Sequence, residues 1–137
     1  MDEPINLVLF SGTDDKLQAA AILTAGAAAL GKPVNVFLQY WALDAFRANR
    51  IGNDHGLAPE AGAEGRGHVD ALRAAGQASW AETLRQAKDL GGVDIQACSL
   101  SMDLLGLEAT DLDPLVDGVE GVTAFYLNAG EGQLVFI

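Results

Sequence analysis

The chain has 137 residues, the size of one ordinary domain, and half of them are apolar, enough to build a core without staples. Nineteen acidic residues against eight basic ones give a formal charge of -11, which argues against nucleic acid and bare anionic membrane as partners. One cysteine excludes an internal disulfide, and the first residues show no basic stretch leading into an apolar signal core, so a cytoplasmic protein is expected.

Ile5-Asn6-Leu7-Val8-Leu9-Phe10 is a mostly apolar run closed by Ser11-Gly12-Thr13, the pattern of a buried strand and its turn. A helix follows, opening on Asp14 and Asp15, where negative charge suits the helix dipole, and ending at Gly31 with Pro33 just beyond. Its alanines predict close packing. Gly26 in mid-helix costs up to about 1 kcal/mol relative to alanine, and tight packing at that point is the expected compensation. The run from Ala19 is broken by Thr24 and falls short of the roughly 20 apolar residues that cross a bilayer, so no stable membrane insertion is expected.

Val34-Asn35-Val36-Phe37-Leu38-Gln39 reads as a second strand that runs through Tyr40-Trp41 into a short helical piece, completing a strand-helix-strand unit of a parallel sheet. Residues 50–78 change character. Six glycines and Pro59 crowd them, helical content is visible only over 69–75, and the segment reads as a mobile insertion, either a lid or disordered. His55 and His68 lie in it 13 residues apart with no short-spaced ligand pair, so no metal site is expected. Ser79-Trp80-Ala81-Glu82 is a capping box that starts a helix ending at Leu90-Gly91-Gly92, with Trp80 on its core-facing side.

Val93 to Cys98 is the next strand; Val93, Ile95 and Ala97 share one face, and Asp94 and Gln96 share a more polar one. Cys98 stands at its carboxyl end, where the chain turns into a helix. That position places the thiol beside unpaired N–H groups at the positive end of a helix dipole, which favours the thiolate. The same residue also suits a buried structural role, since free cysteines are among the most buried side chains. Arg47, Arg50 and Arg66 are the cations that could approach it. A short strand over 116–120, a helix with Val122, Phe125, Tyr126 and Ala129 on one face, and a last strand over 133–137 complete the pattern.

Strands alternating with helices predict an α/β class, a three-layer α/β/α domain with a five-stranded, mostly parallel sheet. In such sheets ligands bind outside the carboxyl ends of the strands, which makes Ser11, Gly12, Thr13, Tyr40 and Trp41 the candidate cleft wall beside Cys98. The first turn lacks the glycine spacing of a dinucleotide fingerprint and the lysine of a P-loop, and no cofactor is expected. With no Cys-x-x-Cys, dithiol chemistry is not available either.

Leu7-Val8-Leu9-Phe10-Ser11-Gly12-Thr13, and above all the segment from Ala97 to Leu107 with Leu90-Gly91-Gly92 ahead of it, resemble the DsrE/DsrF-like family, in particular the branch often labelled peroxiredoxin-like. The resemblance spans nearly the whole chain and is weakest over 50–78. It implies a flavodoxin-like domain, a homo-oligomer, and a cytoplasmic sulfur-trafficking role in which the cysteine matching Cys98 carries persulfide sulfur between rhodanese-like and TusA-like proteins. In that role the backbone N–H groups of Ser99, Leu100 and Ser101 would stabilise the thiolate. No peroxidatic threonine, proline and cysteine motif is present, so peroxidase activity is not expected. Two other functions compete with the carrier: a non-catalytic oligomeric module that binds a small ligand, and a thiol redox sensor working through sulfenic acid.

Overall fold

In the computed structural model, which describes residues 3–137, one sheet holds five strands: β1 (Ile5–Leu9), β2 (Val34–Leu38), β3 (Val93–Cys98), β4 (Gly118–Glu120) and β5 (Gln133–Phe136). Their order is β4-β3-β2-β1-β5, and every pairing is parallel. The helices are α1 (Asp14–Ala29), α2 (Tyr40–Ala45), α3 (Gly62–Ala74), α4 (Trp80–Leu90), α5 (Ser99–Leu105) and α6 (Val122–Ala129).

Parallel neighbours need crossover connections, and crossovers are right-handed. The steps from β1 to β2 to β3 to β4 all run the same way along the sheet, so their helices fall on one face. Only the link from β4 to β5 runs back, across the whole sheet, and its helix α6 covers the other face alone.

The two faces differ accordingly. Leu7, Leu9, Val34, Val36, Leu38, Ile95 and Ala97 point to the first face and are buried against Leu17, Ala20 and Ala21 of α1 and Trp80, Ala81 and Leu84 of α4. Period-two alternation and the strand register put Asn6, Val8, Asn35, Phe37, Asp94, Gln96, Cys98 and Glu120 on the second face. Its buried cluster is small: Phe37, Cys98 and Phe125, with Val8 packed against them.

Side-chain amides fasten α6 to that face. Asn6 is fully buried, and its Nδ2 donates to the carbonyls of Ala129 and Gln133, both at 3.2 Å. Asn35 Nδ2 donates to Asn128 O at 3.3 Å and to Asn6 Oδ1 at 3.0 Å. The last carbonyls of a helix have no partner within it, so these two asparagines supply what α6 lacks.

The segment 50–78 differs from its sequence-based expectation. It contains a 3-10 turn, Pro59–Ala61, and the thirteen-residue helix α3, so helix begins at Gly62 rather than near residue 69. Glycines disfavour helix by about 1 kcal/mol each, which hid it. Gly65 shows what offsets the cost: a side chain there would collide with Ala61 and crowd Leu57, so the glycine lets the turn lie against α3. The segment is tied to α1 through buried Asp14, which accepts from Trp80 Nε1 and the His55 backbone N–H at 3.0 Å and from Arg73 at 3.4 Å. Asp15 accepts from the Ala58 backbone at 3.1 Å. The capping box of Ser79 and Glu82 is present, and Trp80 is core.

Three smaller expectations are also corrected. β4 is three residues long because Asp117, ahead of it, turns its carboxylate to the Ile95 N–H and the Lys88 ammonium instead of continuing the strand. On α6 only Phe125 and Ala129 are buried, while Val122 and Tyr126 are exposed, because one helix cannot seal a whole sheet face. Gly26 faces open space: a methyl group on its Cα would meet nothing within 4 Å, so no close packing offsets its helix cost.

Gly26→Ala is therefore expected to raise the unfolding free energy by up to about 1 kcal/mol in urea titration. Asn6→Leu is expected to lower it by about 1–3 kcal/mol, because buried carbonyls at the end of α6 lose their donor.

Candidate functional site

β1, β2 and β3 are neighbours in the sheet, so the segments that leave their carboxyl ends lie side by side. Backbone hydrogen bonds join the first two: Gln39 N–H donates to Leu9 O at 2.9 Å and Ala42 N–H to Phe10 O at 3.0 Å. Gly12 lies directly against the Trp41 carbonyl, where any side chain would collide. The second segment is joined to the third through Tyr40. Its backbone has a φ of +42°, a left-handed conformation that is uncommon for a bulky residue, and its N–H donates to the buried Ser101 Oγ at 3.1 Å.

This row of loops does not form one cavity. Ser11, Gly12, Thr13 and Trp41 line an open cleft of about 420 Å³ together with Lys16, Asp44, Arg50 and His55. Tyr40 and Cys98 are not among its walls. Tyr40 sets its ring against Phe10, tilted, and against Trp41, edge-on, at centroid distances of 5.1 and 5.9 Å. Parity along β3 turns Cys98 to the opposite side of the sheet, beneath α6.

Cys98 is 5% exposed and occupies the position just before α5, but its sulfur makes no hydrogen bond to the helix's first turn. The stacked rings of Phe37 and Phe125, 4.8 Å between centroids and 15° apart in plane, form the cluster around it. Ser99 is half-buried near Gly121, Leu100 is exposed, and Ser101 holds the Tyr40 backbone. The arginines do not gather at the thiol. Arg47 and Arg50 both pair with Asp44, at 3.2 and 2.9 Å, and Arg66 pairs with Asp54 and Asp70. Short-range partners on their own segments outcompete a distant cysteine.

Glu120, which sequence patterning did not single out, pairs with Cys98 across β3 and β4 and so points to the same face. Burial raises its carboxyl above the usual range, the Asp94 charge adds to that, and a hydrogen bond from Asn128 offsets part of it. Only the strand register reveals this neighbour, and register is not encoded in a three-residue strand. Lys16 and Arg50 were likewise invisible as cleft residues, since helix and loop cations are usually solvated.

The sequence pattern of the DsrE/DsrF/DrsH-like family matches residues 1–61. Bacillus subtilis YrkE, an uncharacterised protein, is 31% identical over 93% of this chain and 92% of its own length. The chain belongs to the DsrE/DsrF/DrsH-like family. The match to the family pattern takes in β1, α1, β2 and α2 and stops before Cys98. Two solved structures share the fold over essentially the whole chain. YchN from E. coli has a TM-score of 0.61 at 12% identity, covering 100% of both chains. MTH1491 from Methanobacterium thermoautotrophicum has a TM-score of 0.52 at 17% identity, covering 99% of this chain and 100% of its own. The three-layer α/β architecture expected of the DsrE/DsrF/DrsH-like family is thus present, with a wholly parallel sheet in the order β4-β3-β2-β1-β5. Among the described residues no helix is long and apolar enough to cross a membrane.

A raised carboxyl keeps its proton to higher pH in the native state than in the unfolded chain, so its ionisation at neutral pH costs native stability. Glu120→Gln is expected to be more stable than the parent at pH 7, with the difference closing below about pH 4, where both states hold the proton. Urea midpoints measured across that range test it.

Proposed function

We propose that this protein is a cytoplasmic sulfur carrier that holds persulfide sulfur on Cys98. The observation that carries the proposal is the position of the only cysteine: the carboxyl end of an inner strand, at a helix start, on the face that a single helix covers. Membership of the DsrE/DsrF/DrsH-like family supports a sulfur-related role.

The chemistry needs no redox partner. Cys98 Sγ, as thiolate, attacks the outer sulfur of a donor persulfide; the new S–S bond forms as the donor's breaks, and the electron pair leaves on the donor thiolate. The proton lost by Cys98 goes to solvent or to that leaving thiolate. An acceptor thiolate then attacks the same outer sulfur, and Cys98 departs as thiolate and regains its proton. Ser99, Leu100 and Ser101 supply the N–H groups that stabilise the anion when the side chain turns toward α5. Phe37, Phe125 and Val8 form the apolar shell that protects the loaded sulfur from water and oxidants between the two transfers.

Donor and acceptor are thiol proteins of the rhodanese-like and TusA-like kinds, and the chain acts as a homo-oligomer. Exposed apolar residues of α6 and β5 support association: Tyr126 and Leu127 of α6, with Leu134 and Phe136 of β5 in register with Asn6 and Val8 on the face that α6 covers. Isolated exposed apolar side chains are ordinary, but several on one thinly covered face are what a protein interface uses.

Incubation of the native protein with a persulfide donor is expected to add about 32 Da, the mass of one sulfur, as read by intact mass. The gain should vanish on reduction and in Cys98→Ser; no adduct on the native protein would overturn the carrier function. Phe125→Ala, which opens the shell, is expected to speed iodoacetamide labelling of Cys98 by about tenfold or more, because alkylation of a buried thiol follows access.

A further inference from the structure

We propose that the cleft at the carboxyl ends of β1 and β2 binds a small organic anion that carries a planar ring. Two independent features of the cleft point there: its charge and its shape.

The chain is strongly acidic, yet this cleft is locally cationic. Among the described residues Asp44 is the only carboxylate on its wall, and it accepts two guanidiniums, Arg47 at 3.2 Å and Arg50 at 2.9 Å, which leaves that group with net positive charge. Among the same residues Lys16, also on the wall, has no carboxylate within ion-pair distance. The two aspartates that open α1 would repel an anion if they faced the cleft. They do not, since Asp14 is taken up by Trp80, His55 and Arg73 and Asp15 by Ala58, and neither lines it.

The Lys16 ammonium and the part-exposed Arg50 guanidinium are the charged donors on the wall, and an anionic head supplies acceptors for them.

Size and the remaining wall set the rest of the ligand. A volume of about 420 Å³ falls within the range of small-molecule sites. At roughly 30 Å³ per water it would leave most of its space unfilled around a bare inorganic ion. Trp41 is 55% exposed and stands along the cleft, and a half-open indole beside Ala45 and Pro59 gives a flat apolar surface for a ring. The head is a carboxylate or a phosphate; both meet the same cations.

The cleft does not include Cys98, so this proposal stands apart from the sulfur-carrier function. The test is an NMR titration of the whole protein with salicylate and with adenosine monophosphate. Salicylamide, adenosine and inorganic phosphate serve as comparisons. At least one anionic ring compound is expected to bind with a Kd no weaker than about 1 mM, moving amides of residues 11–16, 41–45 and 55–59, and its neutral counterpart about tenfold more weakly. Which of the two binds tells carboxylate from phosphate. Lys16→Gln and Trp41→Ala should each weaken binding about tenfold while leaving the remaining spectrum in place. Failure of both anionic compounds to bind would overturn the proposal, as would equal binding of the neutral ones, of phosphate alone, or of both variants. Repeating the titration on Cys98→Ser keeps the outcome separate from that of persulfide loading.

Discussion

The handedness of parallel crossovers decides most of what this molecule can do. Three successive connections step one way along the sheet and a single one returns, so the helices divide unequally between the two faces. The well-covered face can hold strands that are apolar at every inward position, from Leu7 to Ala97. The other face, under α6 alone, carries Asn6, Asn35, Asp94, Gln96 and Glu120 among its few apolar groups. Buried amides there are more than tolerated: they are the donors that hold α6 down. A strand ending on a cysteine with the parity of Asp94 and Gln96 then delivers its thiol to the thin side.

Much of this was legible from residue patterns. Apolar runs at 5–10 and 34–39, the capping box at Ser79 and the split between Val93-Ile95-Ala97 and Asp94-Gln96 pointed to the strands, the longer helices and the polarity of the cysteine's face. Each of these is a local signal with a fixed period or a fixed cap. What escaped the pattern depended on distant contacts. α3 needs Gly65 against Leu57 and the Asp14–Arg73 pair to exist among so many glycines. The exposure of Val122 and Tyr126 follows from how many helices share a face, which periodicity in one helix does not report. Strand order was unreadable, so the adjacency of the three carboxyl-end loops could be named but not arranged.

That arrangement separates the cleft from the thiol, although both stand at one edge of the sheet. The cleft built on Gly12 and Trp41 opens on the side with the arginines and Lys16, whereas the thiol lies beyond Tyr40, under a pair of phenylalanines. Tyr40 stands between them with its left-handed backbone held by Ser101, so the loop after β2 takes its shape from the helix after β3. A sequence places all these residues at strand ends; only the pleat tells which side of the sheet each one serves.

The unequal layering also sets how the native state opens. Two hydrophobic clusters share the sheet but not their helices, and the smaller draws only Phe125 from outside the strands. Detaching an eight-residue helix gives up that one aromatic anchor and a handful of amide bonds, while the packing of α1 and α4 stays whole. Release of the α6 layer is therefore a partial opening, one that leaves the main core folded. The cover over Cys98 thus depends on one small layer, and substitutions in α6 can change its exposure without touching the main core.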